Sequence, residues 1–139
     1  KGCAMSDFSS GKPVKKWQNK SIAAHFTSCV LLDGHLYGIH GNAKRSSDQL
    51  KCVRFSDGRE IWSQRTGHGS LMAADDKLII LTDRGRIIVA EASTKGFKQL
   101  ASCRIMKPRG ICWTMPVLAG GRLYCRSSSG QLVAADVGR

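Results

Sequence analysis

Three side chains sit at one position of a repeated unit and could act together. His25, His68 and Cys112 stand two residues before Thr27, Ser70 and Thr114. Imidazole nitrogen and thiolate sulfur are competent ligands for zinc or copper. If the strands that follow line one channel, the three side chains would meet at its mouth. Ligation needs them within about 8 Å of each other. Packing and hydrogen bonding at the same positions is the favoured reading, because no Cys-x-x-Cys or Cys-x-x-Cys-His spacing accompanies them. His35 and His40 flank a strand pattern and read as exposed residues. Neither a Gly-rich phosphate loop nor a Ser-His-Asp arrangement can be assembled from the spacing.

The elements that would position these residues are short strands and tight turns. Around Cys52-Val53-Arg54-Phe55-Ser56-Asp57-Gly58-Arg59-Glu60-Ile61-Trp62, two strands flank a turn closed by Gly58. Met5 to Trp17 repeats the unit with Gly11 in the turn. Val89 to Gly96 repeats it again, with Leu100 where Trp is expected, and Ala134 to Gly138 begins a fourth copy. A second unit runs in step: Asp33-Gly34-His35-Leu36-Tyr37, Asp75-Asp76-Lys77-Leu78-Ile79 and Gly120-Gly121-Arg122-Leu123-Tyr124. Leu36 to Leu78 is 42 residues and Leu78 to Leu123 is 45. A period of roughly 40–50 residues made only of strands and turns marks the blades of a β-propeller.

The chain therefore reads as all-β, about three four-stranded antiparallel blades of a larger ring with six to eight blades. Residues 1–19 read as the last two strands of a preceding blade and 20–66 as a blade. Residues 67–108 form the next, and 109–139 a partial blade without its fourth strand. First strands are expected over 26–32, 70–74 and 113–118, and an outer strand over 97–104. The loop from Gly41 to Asp48 is the longest insertion, polar and mobile. Lys1 and Arg139 fall at about the same phase of the repeat, so 139 residues read as the C-terminal segment of a longer propeller or as one of several copies.

Composition narrows the function classes. The net charge is +12, from 22 Lys and Arg against 10 Asp and Glu. The cations are scattered, without a run of five or an interleaved aromatic ladder, so a solvated basic surface is favoured over a nucleic-acid site. Of the six cysteines, Cys29, Cys52 and Cys125 sit in apolar strand patterns and read as buried free thiols. A bridge from Cys103 to Cys112 is an open alternative. No apolar stretch reaches the roughly 18 residues of a membrane span.

The spacing of the Cys52–Trp62 unit resembles the Ala-x-Asp-x-x-Thr-Gly-x-x-x-Trp pattern of pyrroloquinoline-quinone-type (PQQ-like) propeller repeats, with Arg54 for Asp and Asp57 for Thr. Met5 to Trp17 keeps Asp7 and Gly11. The segments 25–38, 69–71 and 112–118 are similar to a group of exported bacterial proteins built of such repeats. The resemblance implies that Trp17 and Trp62 dock on the neighbouring blade, with Gly11 and Gly58 shaping the turns, and that Leu100 keeps part of that contact. It implies export to the periplasm and a binding or scaffolding role for protein partners, through face loops and the channel mouth. The related quinone dehydrogenases hold their cofactor over calcium, against a vicinal Cys-Cys pair. This chain has no such pair and no cluster of acids for calcium. No cofactor is expected here, and PQQ and calcium belong only to blades outside the chain. The alternative is part of a quinone- or metal-dependent oxidoreductase whose active site lies in those blades.

Overall fold

The computed structural model describes residues 2–42, 48–107 and 109–137. Most of the loop expected to be mobile, and Pro108 in the linker, lie outside the described residues. Every element is a β-strand, thirteen in all among the described residues. β1 (Cys3–Asp7) and β2 (Val14–Asn19) form a two-stranded sheet. β3 (Val30–Leu32), β4 (His35–His40), β5 (Gln49–Arg54) and β6 (Glu60–Arg65) form a four-stranded one in chain order. β7 (Gly69–Ala74), β8 (Lys77–Thr82), β9 (Arg86–Glu91) and β10 (Gln99–Arg104) form the next. β11 (Val117–Ala119), β12 (Arg122–Arg126) and β13 (Leu132–Asp136) form a three-stranded sheet. All pairings are antiparallel meanders, the architecture of propeller blades. Among the described residues no helix is long and apolar enough to cross a membrane.

Local chemistry explains the meander. Two of the hairpin turns place both central residues at positive φ, Asp33-Gly34 at 45° and 70° and Gly120-Gly121 at 55° and 71°. That is the mirror-image turn whose twist matches paired strands. Three strands start later than expected. β3 begins only at Val30 and β11 only at Val117. Pro116 precedes β11 and has no N–H to give a ladder. Before β3, the ladder to β4 stops at Val30 opposite Tyr37, and the Cys29 side chain packs over Gly38. β10 likewise starts at Gln99 rather than 97, because the Glu91 amide closes the turn on the Lys98 carbonyl.

β8 shows how one strand serves two cores. Leu78 and Ile80 belong to a cluster with Tyr37, Ile39, Leu50, Cys52 and Leu71, between the β3–β6 and β7–β10 sheets. Ile79 and Leu81 point the other way, into a cluster with Ile87, Met106, Cys112, Leu123 and Cys125. Side chains alternate faces along a strand, so a continuous apolar run is what a sheet covered on both sides requires.

Candidate functional site

Ladder register decides which residues are equivalent from sheet to sheet. Val30 pairs with Tyr37, Met72 with Ile79 and Val117 with Tyr124. Four residues before these three lie Phe26, His68 and Trp113. The grouping of His25, His68 and Cys112 is therefore corrected by one residue in the first and third units. Cys112 points into the core, fully buried, with Sγ 3.5 Å from Met106 Sδ, and burial raises its thiol pKa. His25 is exposed and its ring lies over Phe26, centroids 3.9 Å apart. Among the described residues no group of three His, Cys, Asp or Glu side chains could hold a metal ion.

What the entries to the inner strands do assemble is aromatic. Phe26 and Trp113 stack at 4.9 Å with 15° between ring planes, reaching past the middle sheet. His68 meets the edge of Phe26 at 6.4 Å and 89°. Phe26 is 49% exposed and Trp113 42%, whereas His68 is 3% exposed. A cross-sheet bond from Ser70 Oγ to the Thr114 carbonyl, 2.9 Å, pins the third entry to the second.

Beneath the stack, His68 Nδ1 lies 2.7 Å from Asp48 Oδ2, with both side chains buried. Asp48 stands before β5 and its carbonyl accepts from the Thr66 and Gly67 amides in the crossover to the next sheet. Its carboxylate fills the space beside Gly41 that a Cβ would occupy, at φ 146°. The pair thus ties the entry to β5 to the entry to β7 in the next sheet. His68 Nε2 and Thr27 Oγ1 are buried without a hydrogen-bond partner among the described residues. Asp48, Phe26 and Trp113 carried no sequence signal of their own. His40, expected exposed, is half-buried and holds Ala23, and burial lowers its pKa.

At the other end of the sheets the turns meet the tryptophans. Trp17 Nε1 donates to the Phe55 carbonyl at 2.9 Å, and Asn19 Nδ2 to the Gly58 carbonyl at 2.8 Å. Gly58 has φ 72°, and a Cβ there would meet the Trp17 ring at 2.7 Å. Trp62 Nε1 donates to the Ser93 carbonyl at 2.7 Å, with Phe97 edge-on to the indole at 6.3 Å. Gly11, also at positive φ, has open space around it. Leu100 does not take the Trp position. Each outer strand bulges by one residue, so that Met5 faces Trp17, Cys52 faces Trp62 and Val89 faces Ala101. Leu100 falls in the bulge and is 44% exposed.

No curated protein matches the sequence. The crystal structure of BamB from Moraxella catarrhalis superposes with a TM-score of 0.70 at 18% identity, covering 89% of this chain and 40% of that one. The chain thus spans about two fifths of the length of that structure. A computationally designed protein, Ika4, aligns with a TM-score of 0.42 at 7% identity, over 84% of this chain and 96% of its own, and that likeness carries no argument. The fold shared with BamB is the propeller, which the sheet order above describes independently. The family model described as outer membrane protein assembly factor BamB matches residues 46–139, and the chain belongs to that PQQ-like β-propeller family.

Proposed function

We propose that this chain is a sector of a non-catalytic propeller that binds protein in the bacterial envelope, exported to the periplasm, and takes part in outer membrane protein assembly. The observation that carries the reading is the exposed Phe26–Trp113 stack at the meeting point of three inner-strand entries. Aromatic side chains held rigid and half-exposed are the usual anchors of protein interfaces. His68, held by Asp48, lies buried under them with its ring at the edge of Phe26 and supports the stack from below. Strands of outer-membrane barrels alternate apolar and polar residues and carry aromatic girdles, so a segment not yet inserted offers side chains that fit such a stack.

The test is fluorescence anisotropy with labelled peptides that copy barrel strands, read against Phe26→Ala and Trp113→Ala in the purified protein. Each substitution is expected to weaken binding about tenfold or more. Affinity in both variants equal to the parent's, or no binding by the parent, overturns the reading. Cell fractionation that finds the protein in the cytoplasm would overturn the export.

A further inference from the structure

The two ends of the sheets differ in charge. One end carries the hairpin turns β1–β2, β3–β4, β5–β6, β7–β8, β9–β10 and β11–β12. The other carries the β8–β9 and β12–β13 turns and the crossovers between sheets, together with the aromatic stack. Of the ten acids, only Asp48 and Asp83 lie at this crossover face, and Asp48 is buried against His68. Arg65, Arg84, Arg86, Arg104, Lys107 and Arg126 all lie there, and all are exposed. Between the β7–β10 and β11–β13 sheets the face sinks into an open groove of about 540 Å³, lined by Asp83, Arg84, Arg104, Lys107, Gly110 and Ile111. Arg104 Nη1 reaches the Arg84 carbonyl at 3.3 Å, which brings its head to the β8–β9 turn. Arg84, Arg104 and Lys107 have no carboxylate partner among the described residues.

We propose that the crossover face docks an acidic protein segment. Its carboxylates are held by Arg84, Arg104 and Lys107, and a neighbouring aromatic or apolar side chain packs on Phe26 and Trp113. Ile111 lines the groove and Trp113 follows two residues later, so the two contacts are at most about 7 Å apart along the chain. Arg outnumbers Lys on this face, and the guanidinium fork matches a carboxylate with two parallel bonds. Arginine beside aromatics is the composition of interface centres, from which Lys is depleted. A phosphodiester headgroup carries one charge, as a carboxylate does, so it is the exposed Phe26–Trp113 stack beside the cations that favours a protein segment over a lipid headgroup. The inference rests on the binding role proposed above and names the partner's chemistry.

The probes are two short synthetic peptides, one of Glu residues around a single Phe, the other with every Glu replaced by Gln, and vesicles containing phosphatidylglycerol. The double variant Arg84→Glu/Arg104→Glu is expected to weaken the acidic peptide about tenfold or more. Lys12→Glu/Lys77→Glu on the hairpin face, with the same change in net charge, is expected to change it less than about twofold. Affinity should fall as salt is raised from about 50 to about 300 mM. Arg84→Gln/Arg104→Gln, checked for an unchanged melting temperature, separates lost charge from lost fold. Equal weakening by the two Glu double variants overturns the inference, as does vesicle binding that Arg84→Glu/Arg104→Glu removes while the acidic peptide is unaffected. The Gln peptide keeps the two readings apart. If it binds and loses affinity on Trp113→Ala while the acidic peptide shows no preference for the crossover face, the docking inference fails and the binding role stands.

Discussion

At the junction of the β3–β6 and β7–β10 sheets, Trp62 reaches across the rim, bonds the Ser93 carbonyl and packs beside Phe97. At the next junction, Ala101 stands in the same register, exposed, and nothing spans the rim from that position. The first junction is filled by Tyr37, Ile39, Leu50 and Leu71, with Trp62 against them. The second is filled from within by sulfur: Met106, Cys112 and Cys125 lie among Ile79, Leu81 and Leu123. One contact is a directional clamp across the rim, whereas the other is adaptable packing of buried side chains. The difference teaches that a repeat can lose its signature Trp and keep its neighbour, provided the inner layers stay full.

Substitutions break this contrast from the clamp side first. Trp62→Ala should cost about 3–5 kcal/mol, since it removes a large apolar contact and a bond to a carbonyl that then lacks its partner. Urea unfolding followed by circular dichroism measures it, and a loss below about 1 kcal/mol would mean the clamp is incidental. Gly58→Ala should cost about 2 kcal/mol or more, because the new methyl meets the Trp17 ring at a positive φ. Gly11→Ala, with open space at a similar φ of 77°, should cost only the backbone strain of about 1 kcal/mol. Equal losses at the two glycines would deny that docking, rather than turn geometry, sets the requirement at Gly58.

The sulfur-filled junction should yield smaller effects. Met106→Leu, a volume-conserving change in a buried site, should stay within about 1.5 kcal/mol in the same assay. The last effect appears only in alkali. Burial pushes the Cys125 thiol up to about 11 from an ordinary 9.0. A thiol with a raised folded pKa contributes fully below pH 9.0, and its contribution is lost as pH rises through about 11. The melting temperature should therefore decline between those values, and Cys125→Val should flatten the decline. A slope that Cys125→Val leaves untouched would assign it to other groups.

Much of the fold was legible along the chain. The Gly-closed turns, the spacing of Trp17 and Trp62 and the doubly apolar run Leu78–Leu81 each follow from local chemistry, and each stands in the structure where the repeat puts it. The candidate site was legible only to within one residue. Aligning Thr27, Ser70 and Thr114 by residue type selected His25 and Cys112, while the ladders select Phe26 and Trp113. Leu100 gave way to Ala101 for the same reason, a bulge repeated in every outer strand. Asp48 had no signal because its partner, His68, lies 20 residues away in the next sheet.

The sequence by itself determined the repeating β unit, its turns and the tryptophans that reach the next sheet, because these depend on neighbours a few residues apart and on alternation with period two. Only the tertiary structure decided which side chains meet at the inner ends and which end of the sheets gathers the cations. Strand pairing and crossing bring those residues together, and a shift of one residue turns a core thiol into an exposed indole.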